Sequence, residues 1–402
     1  VLIIKFALSL SANQLFNSRE YCDCPKGGLR SLARASFLHV ADFHLSRRFG
    51  FLPPQLAEER RSDQRKALTR VADIAIERDV DIVLVAGDLF DSIDPDPSDL
   101  EAVTAEFGRL TEAGKKIFAI PGNHDYIHPR SFWHELANRG IHVFTETEWN
   151  TVVLEDHGIA IAGIAFDKGN SSRRAFDGLA LAGELPTIVL VHASSEAFSG
   201  QLQDYHPFSG NDLSSTKAAY VALGHYHKFI NVMSTGSTKA CYPGTPEGIG
   251  FDPPETEDRF VIVGEIDEDS RLNLEPIKTN TRVMRSLEID CTSFESEASL
   301  LEAIRQHCAP NALIELRLVG SPNPELTTAL ENLPDRFKDS CAYLSVNTAG
   351  LSAGRELPTD DRTIQGRFCK YLLDQIESTS DPERQRLLRK ALDLGLAVFG
   401  EA

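Results

Sequence analysis

Short apolar runs recur along the first two thirds of the chain, and several stop abruptly at glycine, asparagine, aspartate or histidine. Phe37–Ala41, Ile82–Ala86, Ile117–Ile120, Thr187–Val191 and Tyr220–Leu223 are too short for helices. They read as strands covered on both faces, as in a parallel sheet. Helical spacing lies between the first three. Leu68, Val71, Ala72 and Ala75 predict an amphipathic helix over about 57–78, with Arg60, Arg61, Arg65, Lys66 and Arg70 on its solvent side. Leu100, Val103, Phe107 and Leu110 predict a second, capped by Ser98 or Asp99 and ended by Gly114. Val152–Leu154 and Ile159–Ile164 alternate like paired strands, and Phe260–Ile266 is expected to close the unit. Alternating strands and helices followed by mostly strands fit two packed sheets with helices outside.

The texture changes near 280. Strands at Leu287–Ile289, Leu313–Leu318 and Ala342–Val346, with helices near Leu300–His307 and Pro324–Leu333, predict a small α/β domain over 280–348. Residues 349–361 read as a linker. Two helices are expected over 362–400. Ile364, Phe368, Leu372 and Ile376 stripe the first. The second starts at Asp381-Pro382 and carries Leu387, Leu388, Ala391, Leu392, Leu396 and Phe399. That is more apolar surface than a narrow stripe, so it must pack on this protein or on a partner. Residues 1–36 are unlike the rest and are expected to be a poorly ordered leader or a mis-assigned start; Val1–Ala12 lacks the basic flank of a signal peptide.

Composition adds limits. The chain has 402 residues, enough for two or three domains, and no apolar run approaches the ~20 residues of a membrane helix. A net charge of −18 argues against a basic coat for non-specific nucleic-acid binding. It leaves room for a polyanionic substrate, because bound divalent ions reverse the local field. The seven cysteines are scattered without a zinc-type pairing, which fits a reducing cytoplasm.

The chemistry lies where the apolar runs stop. Asp42-x-His44, Gly87-Asp88, Gly122-Asn123-His124-Asp125, His192 and Gly224-His225-x-His227 each follow one. All would reach the same edge of the sheets, where open α/β sheets place their ligands. A lone His-x-His is usually a pair of ordinary histidines, and a single strand-end Asp is often a cap. Five such motifs in series are another matter. Asp, Asn and His together suit Mn, Fe or Zn. Seven potential ligands suit two ions about 3.5–4 Å apart better than one. His39, His128, His134, His142, His157, His206 and His307 lack this context and read as structural or surface residues.

The order DFH, GDLFD, GNHD, H and GHYH resembles the calcineurin-like metallophosphoesterase superfamily. Within it the chain is similar to bacterial DNA-repair exonucleases of the SbcD/YhaO type. Tyr242-Pro243-Gly244-Thr245-Pro246-Glu247 resembles a segment that follows their last metal motif. The resemblance implies a four-layer αββα sandwich over 37–267, a small α/β capping domain and C-terminal helices. It implies Asp42, His44 and His227 on one metal, Asn123, His192 and His225 on the other, and Asp88 bridging. It implies His124 as catalytic histidine with Asp125 orienting its ring. It further implies two divalent ions, foremost Mn²⁺ with Fe or Zn as alternatives, DNA as substrate, an SbcC-like ATPase docking on the C-terminal helices, and a second copy as partner. Asp91 stands where archaeal and eukaryotic relatives often carry His. Arg47, Arg48, Lys228 and the 60–70 helix are the candidates for strand contact. A phosphomonoesterase or small-nucleotide phosphodiesterase is the alternative, since one fold hosts many substrates.

Overall fold

The computed structural model describes residues 33–395 apart from 182, 184, 199–204, 233–235, 237, 268, 323–325, 327–329, 331, 352–361, 380–383, 386, 389–390 and 393. The leader expected over 1–36 lies outside them except for Ala33–Ser36, which already belong to the first strand. Two compact units divide the chain between Arg285 and Ser286, with 311–313 joining the first.

The first unit holds two six-stranded sheets. Strands β1 (Ala33–Val40), β2 (Ile82–Ala86), β3 (Lys116–Ile120) and β4 (His142–Val143) run parallel, and β11 (Phe260–Asp267) and β12 (Leu272–Lys278) extend this sheet antiparallel beyond β1. The sheet thus continues past the strand expected to close it. Pro276 sits on β12, the edge, where a missing N–H is tolerated. The second sheet has the order β5 (Asn150–Leu154), β6 (Ile159–Gly163), β7 (Thr187–His192), β8 (Tyr220–Gly224), β10 (Lys239–Tyr242), β9 (Ile230–Val232). Its central strands β6, β7, β8 and β10 are parallel.

Side-chain alternation makes the layers. Phe37, Ile82, Leu84, Phe118 and Ile120 point from the first sheet into a core shared with Ile161, Ile188, Leu190 and Tyr220 of the second. The opposite face of the first sheet, with Leu38, Val40, Val83 and Val85, packs on α1 (Pro54–Glu77), α2 (Pro97–Glu112) and α3 (Phe132–Ala137). The outer face of the second sheet is covered by α4 (Gly210–Thr216) through Leu213, and by Ala175, Phe176 and Leu179 of an irregular segment. The result is the expected four-layer sandwich, with one outer layer made largely of loop.

Two expectations about the helices are corrected. The cap of α2 is Asp96, whose carboxylate accepts from Ser98 N at 2.9 Å, with Pro97 at the first position. Asp99 is instead buried, accepting from Ser46 at 2.8 Å and Arg65 at 2.8 Å. Arg60 is not on the solvent side of α1. It is fully buried, bound to Asp63 and Glu247 at 3.0 Å each and to Gly248 O at 2.6 Å.

The second unit carries a three-stranded sheet, β13 (Val283–Asp290), β14 (Ala312–Gly320) and β15 (Tyr343–Leu351), with α5 (Glu297–Arg305) and α6 (Leu333–Phe337). β15 takes in Ala349–Leu351, the start of the expected linker; the remainder of that linker lies outside the described residues. Most of the helix expected near Pro324 also lies outside them. Helix α7 (Ile364–Ser378) buries Cys369, Leu372 and Ile376, and Leu388 and Leu392 pack on it. Much of the last predicted helix, including Leu396 and Phe399, lies outside the described residues; of its described part, Leu388 and Leu392 pack on α7, whereas Leu387 is 66% and Leu394 61% exposed. Among the described residues no helix is long and apolar enough to cross a membrane.

Candidate metal centre

The parallel strands deliver the predicted residues to one edge. β1 ends just before Asp42, β2 before Gly87-Asp88 and β3 before the Gly122–Asp125 turn. β7 ends on His192, and β8 ends on Gly224, just before His225. The turns there are tight. A Cβ at Gly224 would overlap Ala86 O, and one at Gly122 would overlap the Asp88 carboxylate, so only glycine admits this approach. Asp42, His44, Asp88 and His225 all have positive φ, at 55°, 48°, 49° and 111°. Non-glycine residues there cost about 1–3 kcal/mol each, and such strain gathers at functional sites.

The seven expected ligands meet. Asp42, His44 and His227 offer atoms all within 4.8 Å of one another, and so do Asp42, Asp88 and His192. Asn123 Oδ1 lies 2.9 Å from His192 Nε2 and 3.1 Å from His225 Nδ1. Asp88 stands between the two groups: its buried Oδ2 is 3.3 Å from His192 Nε2 and 3.6 Å from His44 Nε2 and accepts no hydrogen bond. Its Oδ1 accepts from His124 N at 2.8 Å.

The tautomers follow from the partners on the far side of each ring. His44 Nδ1 donates to Asp91 at 3.0 Å, His227 Nδ1 to Glu255 at 2.9 Å and His192 Nδ1 to Ala86 O at 2.9 Å. These partners only accept, so in each neutral ring Nε2 carries a lone pair. His44 Nε2 and His227 Nε2 then face each other at 3.1 Å, two lone pairs without a proton between them. His192 Nε2 likewise faces two oxygen acceptors. Such an arrangement repels itself unless a cation lies among the donors, so the residues present fit metal ions.

The protonation equilibria carry the same demand. Burial works against the charge of His192, yet Asp88 and Asp42 outweigh it and push its pKa up to about 9. Burial also opposes the charge on Asp88, but the facing imidazoles of His192 and His44 hold its carboxyl well below the usual range. Burial raises Asp42 to about 7 and Asp125 to about 7, and lowers His44 to about 4. Without metal, a proton on His192 answers the pocket's need for positive charge.

The calcineurin-like phosphoesterase family profile matches residues 35–229. That stretch belongs to this family. The uncharacterized metallophosphoesterase YhaO of Bacillus subtilis is 27% identical over 225 residues, 54% of each chain. The DNA double-strand break repair protein Mre11 of Aeropyrum pernix is 27% identical over 269 residues, 63% of each chain. The chain thus spans between half and two thirds of these relatives. A dimetal phosphatase from Danio rerio aligns with 61% of this chain and 96% of its own at 9% identity and a TM-score of 0.41, too distant a likeness to bear on the site.

Within the phosphoesterase domain one expected role is corrected. Asp125 does not hold the ring of His124. Its buried carboxylate accepts from Gly122 N at 2.7 Å and Phe90 N at 3.1 Å, so it ties together two motif-bearing turns. The His124 ring, 39% exposed, sits edge-on to His44 and has Asp91 O 3.2 Å from its Nδ1. Sequence reasoning noted Asp91 only as a departure from relatives and missed Glu255. Asp91 could be found from its place three residues after Asp88; Glu255, in a short turn far from any motif, gave no signal. The segment Tyr242–Glu247 contributes a latch: Glu247 receives buried Arg60 and, at 3.0 Å, Thr281 N.

Proposed function

We propose that the chain is a two-metal phosphodiesterase that hydrolyses DNA, acting on ends in repair. The observation carrying this reading is the facing pair of lone pairs at His44 and His227, with Asp88 Oδ2 between them and His192. Asp42, His44 and His227 would hold one divalent ion and Asn123, His192 and His225 the other, with Asp88 shared. Two such ions supply charge neutralisation on a phosphodiester and a strong nucleophile at neutral pH. His124, at the exposed rim, would give a proton to the departing oxygen, its ring set by Asp91 O. Asp91, Glu255 and Ala86 O keep the ligand nitrogens aimed inward. Relatives named for double-strand break repair support DNA as the substrate. The unit from Ser286 would then steer the strand as a capping domain, and the C-terminal helices would dock a partner ATPase.

The test is hydrolysis of end-labelled linear duplex and single strands with Mn²⁺, beside p-nitrophenyl phosphate. Cleavage of DNA that Asp88→Asn abolishes is expected. Activity confined to the monoester would favour a phosphomonoesterase and end the nuclease reading.

A further inference from the structure

The loop that follows Asp42-x-His44 makes an unusual choice of what to bury. Phe49, with φ of 49°, turns inward and is 2% exposed, above the buried guanidinium of Arg60 at 5.9 Å. Bulky residues rarely adopt that backbone. Two positions later Phe51 points outward and is 48% exposed. Phe51 meets Phe49 edge-on at 6.1 Å between ring centres and Phe251 at 5.7 Å. The three rings therefore form a fixed ledge, with Phe51 as its open face.

The ledge is tied to the candidate centre. Arg47 donates from Nε to Ile249 O at 3.1 Å, two residues before Phe251, and from Nη1 to Asp91 at 3.2 Å. Asp91 in turn holds His44. One guanidinium thus sets the spacing between the aromatic ledge and the metal-ligating ring. Arg48, exposed, precedes Phe49 in the chain, so the cation tied directly to the ledge is Arg47. Flat aromatic surface beside cations is how proteins hold unpaired bases: the ring stacks on the base, and the cations meet its phosphates.

We infer that Phe51, backed by Phe49 and Phe251, is a stacking platform for one unpaired nucleobase of the strand entering the centre. This rests on the proposed DNA-cleaving activity and narrows it to single strands and frayed ends. A base near the cleaved bond would lie on Phe51, with Arg47 between the ledge and the centre. Stacking tolerates every base, so the preference is for unpaired structure rather than sequence.

The test compares the full chain with Phe51→Ala and Phe51→Trp on short single strands, intact or carrying one abasic position near the cleaved bond. Metal content and melting temperature show that each variant is folded. Phe51→Ala is expected to lose roughly 5- to 100-fold in kcat/KM on intact strands. That difference should vanish on the strand whose abasic position falls at the platform. Phe51→Trp should retain activity, with its fluorescence quenched by intact strands and not by the abasic one. Equal cleavage by Phe51→Ala and the parent overturns the platform, as does an equal loss on every abasic strand. A change in oligomeric state without a change in cleavage would mark the ledge as a protein contact and also overturn it. A parent chain that hydrolyses small esters but no strand would instead fail the nuclease reading beneath it.

Discussion

The Asp91 carboxylate accepts a 3.0 Å hydrogen bond from Nδ1 of His44, and that bond fixes which nitrogen His44 turns toward His227. With the proton committed to Asp91, Nε2 is left as the ligating atom. Partners of this kind typically govern 10- to 100-fold in metal affinity. Asp91→Ala is expected to weaken Mn²⁺ binding by about that factor. Asp91→Asn, which keeps an acceptor oxygen, should lose less. Calorimetric titration of metal-stripped protein checks this; equal affinity for the alanine variant and the parent would remove Asp91 from the centre.

Arg60 and Glu247 make a contrasting case, in which a residue that reads as surface is structural. Both are buried, and their ion pair joins α1 to the segment after β10. Breaking a buried pair from one side leaves a charge without compensation, at a cost of about 3–5 kcal/mol. Arg60→Met should lower unfolding stability by that amount in urea titration, whereas exposed Arg70→Ala should stay within about 0.5 kcal/mol. Matching small effects would mean that Arg60 is solvated after all.

That pair also marks the limit of what the sequence discloses. The strands and the ligands at their ends were legible because a buried strand must be apolar and must stop, and what stops it is visible next to it. Asp88 after Ile82–Ala86 and Asn123 after Ile117–Ile120 are read from neighbours in the chain. Arg60 was illegible for the opposite reason: its partner lies 187 positions away, and helical spacing alone puts it among solvated arginines. Glu255 is hidden in the same way, since only the fold brings it to His227. The resemblance sets Asp125 on the ring of its chain neighbour His124, but being next in the chain does not say which way a side chain turns. The carboxylate turns inward instead, to Gly122 N and Phe90 N.

His124 and Asp125 should accordingly separate under mutation. Asp125→Ala leaves two buried N–H groups without an acceptor, at about 1–3 kcal/mol each. It is expected to lower thermal stability and metal content together. His124→Gln keeps the backbone N–H that Asp88 accepts and removes no proposed ligand, so it should keep both and reduce turnover by about 10²–10⁴-fold. Metal analysis, melting curves and diester hydrolysis on the same preparations distinguish the two. A His124 variant that loses metal would contradict the separation.

His39 supplies a pH dependence away from the ligands. Its ring is fully buried between the sheets, with Nδ1 2.9 Å from the Tyr220 hydroxyl. Burial, opposed only by a backbone hydrogen bond at Leu223, lowers its pKa from 6.5 to about 3. The folded chain therefore holds His39 neutral where the unfolded chain would protonate it. Between pH 6.5 and 3 the unfolded state binds the extra proton, so acid shifts the balance toward unfolding. At pH 5 the gap of about 1.5 units from the unfolded pKa corresponds to about 2 kcal/mol of lost stability from this one ring. His39→Phe removes the titration while keeping an aromatic ring between the sheets. It is expected to start less stable at pH 8, because the Tyr220 hydroxyl loses His39 as a partner, but the difference from the parent should shift in its favour by about 2 kcal/mol by pH 5. Urea titrations of both chains at pH 8, 6.5 and 5 measure this. Parallel pH profiles would show that His39 does not titrate with unfolding.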